Sequence, residues 1–364
     1  MYNGGNPTPR IALSTAFLLP GPPMKRLRVL VLMHEDLLPP DTIEGLSDEE
    51  IADYRSEYDV CAGLEALGHE VRPLGVRADL GVVRRAIEET RPDVAFNLLE
   101  EFHGVAIYDQ HVVSYLELMQ QPYTGCNPRG LMLAHDKALC KQILSYHRIP
   151  TPKFTVFERG KKVRCPRRLG FPMFVKSVNE EASLGISQKS IVSNEQQLAD
   201  RVAYVHEEIH SDAMAEEYIE GRELYVGLTG NQRLTAFPVW EMLFPRMPEG
   251  MPRIATRKVK WHVETQEKYG IRTEAARNLP PGLDRQIVSL CKRVYRALSI
   301  TGYARMDLRL AEDGRVYLLE ANPNPNLEYG EDFSESAERV GISYEMLLQR
   351  IINLGLSYKA AWRT

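Results

Sequence analysis

The sequence predicts a mixed architecture: a small doubly wound α/β domain followed by two α+β lobes. Three observations carry that expectation. Apolar runs of strand length alternate with helical stretches as far as Leu99, the order that builds a parallel sheet. Beyond about Pro150 the strands become short and hairpin-like, with fewer helices between them. Near the C-terminal end, Asp313-Gly314 joins two strands, and Asp-Gly is the strongest short hairpin signal.

The elements follow in order. Arg28 to Met33 is a continuous apolar run, as a strand buried on both faces would be. A helix over Tyr54 to Leu67 stops at Gly68, a strand covers Glu70 to Val76, a helix covers Val82 to Thr90, and a strand covers Asp93 to Leu99. Val112, Leu116 and Met119 recur at helical spacing until Pro122, and another helix runs from Asp136 to His147. Strands are expected at Phe171 to Val178 and Gln188 to Val192. Ser193 to Gln196 opens a helix with Leu198, Val202, Val205 and Ile209 on one stripe. Further strands cover Met214 to Ile219, Glu223 to Thr229 and Leu234 to Met242, and a long polar excursion fills Phe244 to Leu279. A helix over Asp284 to Leu298, strands over Tyr303 to Leu310 and Arg315 to Ala321, and a helix over Tyr344 to Leu354 complete the chain.

The 364 residues leave room for two or three domains. We expect a disordered leader at 1–23, an α/β domain at 24–125, a central lobe at 126–215 and a C-terminal lobe at 216–364. The apolar stretch Ile11 to Leu19 has only Arg10 before it and Pro20-Gly21-Pro22-Pro23 after it, which makes Met24 an alternative start. Lys and Arg total 45 against 49 Asp and Glu, a net charge of -4 that argues against bulk nucleic-acid binding. No apolar run reaches the ~20 residues of a membrane span. Cys61, Cys126, Cys140, Cys165 and Cys291 are scattered and odd in number, as reduced thiols of a cytoplasmic protein would be.

The hairpin is the most informative segment. Pairing outward from Asp313-Gly314 sets Asp307 opposite Glu320 and Arg305 opposite Asn322, all on one face of the ribbon. Facing carboxylates repel unless something positive lies between them. Asp, Glu and an Asn carbonyl are hard oxygen ligands suited to magnesium on a nucleotide's phosphates, and Arg305 could hold a transferring phosphoryl group.

Taken together, the motifs resemble the ATP-grasp superfamily, and within it the D-alanine–D-alanine ligases, from about Arg28 to Leu356. Pro122-Tyr123-Thr124-Gly125, followed by Asp136-Lys137, is similar to a motif pair of those ligases, which implies that Lys137 meets the phosphates. Phe174-Val175-Lys176 and the run Glu180, Glu181, Ala182, Ser183, Leu184, Gly185, Ile186 resemble the Val-Lys strand and the glycine-rich phosphate loop. Glu216-Glu217-Tyr218-Ile219 is similar to the adenine-binding hinge, with Glu223 at the position of the ribose carboxylate. Lys260-Trp261 falls where the ligases carry Lys-Tyr on a mobile loop; Asp307, Glu320 and Asn322 match their metal ligands, and Arg305 the arginine that steadies the acyl phosphate. The resemblance implies an ATP-grasp fold and ATP as cosubstrate. Two magnesium ions are implied at the hairpin, with manganese as a substitute, and a homodimer is common among similar ligases. The substrates implied are a small carboxylate and an amine, amino acids or peptides, joined through an acyl phosphate with release of ADP and phosphate. Lys260, Arg305 and Ser183 would serve catalysis.

The departures concern the substrates. Ala182 replaces a loop serine and Glu181 the glycine before it. Pro323-Asn324-Pro325-Asn326 stands where the family has Thr-x-Pro-Gly, so Asn326 would have to supply the oxyanion N–H. Glu331-Asp332 falls where Ser-Leu contacts the second D-alanine, which points to a cationic acceptor. The N-terminal Gly-Gly motif is missing, although His34-Glu35-Asp36 ends the first strand, and Leu99 to Gly104 matches the family's Leu-His-Gly only loosely. Two other classes compete with a ligase: a catalytically idle ATP-binding module, and a zinc protease. His206-Glu207-Glu208-Ile209-His210 satisfies His-Glu-x-x-His, but both histidines lie off the apolar stripe of their helix.

Overall fold

The computed structural model describes residues 25–180 and 184–363. The expected leader and the loop residues Glu181, Ala182 and Ser183 lie outside the described residues.

The first sheet comes from β1 (Arg28–His34), α1 (Asp48–Ile51), α2 (Arg55–Ala66), β2 (Glu70–Val76), α3 (Leu80–Thr90) and β3 (Val94–Asn97). Its order is β2-β1-β3, with β1 parallel to both neighbours. Being central and covered on both faces explains the unbroken apolar run of β1. Leu30 and Leu32 enter one core, and Val29, Val31 and Met33 enter another.

Three helices follow, α4 (Asp109–Leu118), α5 (Pro128–His135) and α6 (Lys137–Tyr146). The sequence reading missed α5, although its start is written plainly. Asn127 caps it by accepting from the Gly130 N–H, and Pro128 sits in its first turn. Asp136 then caps α6, accepting from the Leu139 N–H at 2.9 Å.

The middle sheet contains β4 (Phe154–Phe157), β5 (Met173–Ser177), β6 (Ile191–Val192) and, after α7 (Glu195–Glu208), β7 (Ala213–Glu217). Its order is β4-β7-β5-β6. β4, four residues long, went unpredicted. The expected strand over Gln188 to Val192 shrinks to β6. Leu198, Val202 and Val205 of α7 bury against this sheet.

The third sheet uses β8 (Gly221–Thr229), β9 (Thr235–Ala236), β10 (Trp240–Leu243), β11 (Arg272–Ala275), β12 (Tyr303–Ala311) and β13 (Val316–Pro323). Its order is β11-β10-β8-β12-β13, with β9 on β8. The single strand expected over Leu234 to Met242 is broken between β9 and β10, where Pro238 has no N–H to give a ladder. The polar excursion is more ordered than its composition suggests. It holds α8 (Arg257–Trp261), α9 (Val263–Tyr269) and β11, and Val259 buries beside Tyr225, Trp240 and Met242. α10 (Leu283–Ala297), α11 (Asp332–Glu338) and α12 (Tyr344–Ser357) complete the fold. Among the described residues no helix is long and apolar enough to cross a membrane.

The hairpin corrects the sequence reading in detail and supports it where it matters. The Ala311 N–H donates to the Arg315 carbonyl and the Gly314 N–H to the Ala311 carbonyl, so the turn has three residues rather than two. Gly314 takes φ 82°, a value that favours glycine. Near the turn the strands therefore pair one step off, Leu310 with Val316 and Leu308 with Leu318. A bulge at Leu319 restores the register, and Asp307 faces Glu320 while Arg305 faces Asn322.

α12 lies against the first sheet, its Leu347, Leu348, Ile351 and Ile352 buried beside Val29, Val31 and Val60. A Cβ on its Gly355 would sit 2.2 Å from the Tyr123 carbonyl oxygen. Alanine is the better helix former by up to ~1 kcal/mol, but backbone cannot retreat as a side chain can. Gly355→Ala should therefore destabilise the protein, by about 1–3 kcal/mol as overpacking usually does. Urea unfolding is the check; a midpoint at or above wild type would refute the close approach.

Candidate active site

α6 presents two lysines one turn apart, and each reaches a different sheet. The Lys137 ammonium lies 2.9 Å from Glu320 Oε1 on β13 and donates to the Glu180 carbonyl at 2.6 Å. Lys141 lies 2.9 Å from Glu216 Oε1 on β7, and Lys176 of β5 lies 3.3 Å from Glu216 Oε2. All three lysines and Glu216 are buried. Burial pushes the Glu216 carboxyl up, but the two ammoniums outweigh it and hold it below the usual range. Burial likewise holds Lys141 below the usual lysine value despite Glu216. Lys141 was missed from sequence, although its helical spacing from Lys137 was a readable signal.

The hairpin face is engaged in the same way. Arg305 grips Asp307 with two hydrogen bonds, Nε to Oδ1 at 2.8 Å and Nη2 to Oδ2 at 3.1 Å, and its guanidinium lies 5.1 Å from the Tyr225 ring centre. For Glu320, burial works against the charge, and Lys137, Lys176 and Lys260 together bring its carboxyl well below the ordinary value. The repulsion expected between Asp307 and Glu320 is thus relieved by protein cations, one for each carboxylate. The donor set still fits magnesium. Asp307, Glu320 and Asn322 supply hard oxygens from one face of paired strands.

The nucleotide-side residues surround this centre. Gly185 takes φ 73°, and its carbonyl accepts from Arg201 of α7, which also bonds Ser190 Oγ at 2.9 Å. Glu180 is anchored through its N–H to Ser177 Oγ at 3.1 Å. Glu217, Tyr218 and Ile219 are half-buried at the passage from β7 to β8. Glu223 is buried, with Tyr225 donating to one oxygen and Arg309 to the other, both at 2.9 Å. Its orientation is fixed while lone pairs remain for a ribose hydroxyl. The sequence reading overlooked Arg309, the residue that holds it.

Lys260 is half-buried on α8, within electrostatic reach of Glu320 and Asp332. Trp261 ends the same helix. Asn326 accepts through its side chain from Ser56 Oγ at 2.9 Å and from the Glu328 N–H at 2.8 Å, which docks the loop after β13 onto the start of α2. Glu331 is exposed, whereas Asp332 is half-buried with Arg305 and Lys260 as cationic neighbours. Among the described residues, Glu57 is a buried carboxylate with no cation paired to it. It lines a cavity with Ser56, Asn97, Glu100, Asn324 and Asn326. Only 7% exposed, it is pushed up to about 7 by burial, with Glu100 and Glu328 adding repulsion.

The histidine motif does not assemble. α7 ends at Glu208, His206 bonds the Phe157 carbonyl at 2.8 Å, and His210 is exposed beyond the helix. Among the described residues no group of His, Cys, Asp or Glu forms a zinc-type site. The zinc-protease alternative is set aside on that geometry.

Comparison with known proteins agrees with the geometry. A family model for the D-ala D-ala ligase C-terminus matches residues 143–353. A D-alanine–D-alanine ligase of Syntrophotalea carbinolica is 32% identical, covering 85% of this chain and 92% of its own, and one from Desulforudis audaxviator is 30% identical over 85% and 95%. The crystal structure of a Bacillus anthracis D-alanine–D-alanine ligase complexed with ATP superposes with a TM-score of 0.70 at 24% identity, covering 91% and 97% of the two chains. The fold and the matched residues therefore place the chain in the ATP-grasp ligase class. Within that class the chain belongs to the D-alanine–D-alanine ligase-like family.

Two predictions follow from this geometry. Lys141→Met leaves Glu216 with one ammonium; breaking a buried pair costs about 3–5 kcal/mol. The expected outcome is a lower melting temperature and weaker ATP binding by calorimetry, and unchanged values for both would remove Lys141 from the site. The second concerns pH. The Glu57 carboxyl is near 7 folded against 4.5 unfolded, so its contribution is fully present below about 4.5 and lost as pH rises through 7. The loss is on the order of 3 kcal/mol. Wild type should lose more stability between pH 5 and 8 than Glu57→Gln, and parallel melting curves across that range would contradict the burial of Glu57.

Proposed function

We propose that the protein is an ATP-dependent carboxylate–amine ligase that forms an amide through an acyl phosphate, releasing ADP and phosphate. The observation that carries this reading is the approach of Lys137 to the hairpin carboxylates, at 2.9 Å from Glu320. It joins phosphate-type cations and a metal-type oxygen set in one site.

Lys137 and Lys176 would neutralise the ATP phosphates, and the Glu216 bridge fixes the direction of the Lys176 ammonium. Glu216 to Ile219 would receive adenine and Glu223 the ribose. Magnesium held by Asp307, Glu320 and Asn322 would supply charge neutralisation across the phosphates. Arg305, poised by Asp307, would steady the phosphoryl group as it passes to the substrate carboxylate. The α8–α9 segment carrying Lys260 and Trp261 would act as a lid against hydrolysis of the acyl phosphate. Ser183, Gly185 and the loop around them would cover the phosphates, and the Asn326 N–H would face the oxyanion. Three domains with boundaries near residues 125 and 215, a cytoplasmic setting and a homodimer complete the proposal.

ADP release against a panel of D- and L-amino acids, dipeptides and amines, with mass detection of the amide, tests the reading. ATP binding with no turnover on any pair would favour an idle module instead. Asp307→Asn and Glu320→Gln should each abolish turnover, at least a thousandfold, while melting as a folded protein. Wild-type rates in either variant would sink the metal assignment. His206→Ala with His210→Ala should leave turnover and metal content unaltered, and loss of both together would count against the ligase.

A further inference from the structure

Glu57 has no role in the chemistry above, and its position is costly. It sits in the first turn of α2 and is 7% exposed; no cation pairs with it among the described residues. Its own backbone N–H eases the charge in part, and its electrostatic neighbours Glu100 and Glu328 are acids. A buried carboxylate without a cation is a standing penalty unless something else brings the charge.

The surroundings say what would fit. The cavity that Glu57 lines is about 30 Å³, room for a head group the size of a water molecule, such as one ammonium. Asn97, Asn324 and Asn326 also line it, but their side-chain oxygens accept from Leu99, Cys126, Ser56 and Glu328, so the charge of a cation there would fall to Glu57. Its walls come from α2, the loop after β3 and the loop after β13, directly beyond the proposed metal ligand Asn322. Acidic character continues from there toward the reacting centre. Glu328 is within reach of both Glu57 and Glu331, and Glu331 of Asp332 and Arg305. The cation nearest to Glu328, Arg55, stands at 3.9 Å. A substrate that brought a carboxylate along this path would face Glu57, Glu328 and Glu331, while an extended amine would be opposed by Arg55 and Arg305 alone among these neighbours.

We propose that the amine substrate is a diamine-type molecule, with one nitrogen attacking the activated carboxylate and a second, charged nitrogen seated against Glu57. The inference rests on the ligase reading and deepens it by naming the class of amine. It also moves the cation-binding role from Glu331-Asp332 to Glu57, because Asp332 already has Arg305 and Lys260 beside it.

The test uses the full chain with magnesium and ADP bound, titrated calorimetrically at pH 8 with 1,4-diaminobutane, butylamine and D-alanine. The diamine should bind at least tenfold tighter than either competitor. Glu57→Gln should bring it to the level of butylamine while the affinity for magnesium-ADP stays put, which also shows that the variant is folded. Glu328→Gln, farther from the cavity floor, should weaken the diamine by a smaller factor. D-alanine or butylamine binding as tightly as the diamine, or a diamine preference that survives Glu57→Gln, overturns the proposal and leaves the ligase reading intact. Failure of wild type to bind magnesium-ADP overturns both.

Discussion

The arrangement of this molecule depends on four buried charges, Lys137, Lys141, Lys176 and Glu216, joined by the half-buried Glu320. Lys137 and Lys141 stand one turn apart on α6; Lys137 ties that helix to β13 through Glu320, and Lys141 ties it to β7 through Glu216. Lys176 adds a second tie from β5 to the same glutamate. None of these groups could be buried alone at tolerable cost. Held as a set, each ammonium has a carboxylate within 3.3 Å, and α6 is tied to both the middle and the third sheet.

The same logic explains which parts of the site have spare capacity. Glu216 and Asp307 already have protein cations on their oxygens, so their task in the resting molecule is orientation. The net surplus beside Glu216 is positive, two ammoniums to one carboxylate, which suits an anionic cosubstrate. Around Glu57 the neighbours reverse in sign, with Glu100 and Glu328 both raising its carboxyl. The site is thus electrically polarised from its nucleotide end to its substrate end.

Much of this was legible in the sequence. The apolar run of β1, the alternating helices and strands of the first domain, and the facing of Asp307 with Glu320 followed from periodicity and turn chemistry. The register survived through two compensating errors, a turn one residue longer than Asp313-Gly314 suggests and a bulge at Leu319 that no local pattern announces. The break at Pro238 was readable and was overlooked. β4 and β11 were not readable, because each is a short edge strand, half-buried along most of its length, held by a single neighbour distant in sequence. In the site, residues belonging to familiar motifs were found, whereas the partners that hold them, Lys141 and Arg309, were not. Glu57 stayed hidden for a simpler reason: a glutamate in a helical first turn is ordinary, and its burial belongs to the tertiary structure alone.

The placement of α12 has a consequence for how the chain matures. The face of β1 that carries Val29, Val31 and Met33 is covered by residues from Leu347 to Ile352, so the segment made first is closed by one made near the end. On the ribosome the first sheet must wait, with an oily surface uncovered, while the roughly 250 residues between β3 and α12 are synthesised. The first domain can therefore reach its full cooperativity only once α12 has been made.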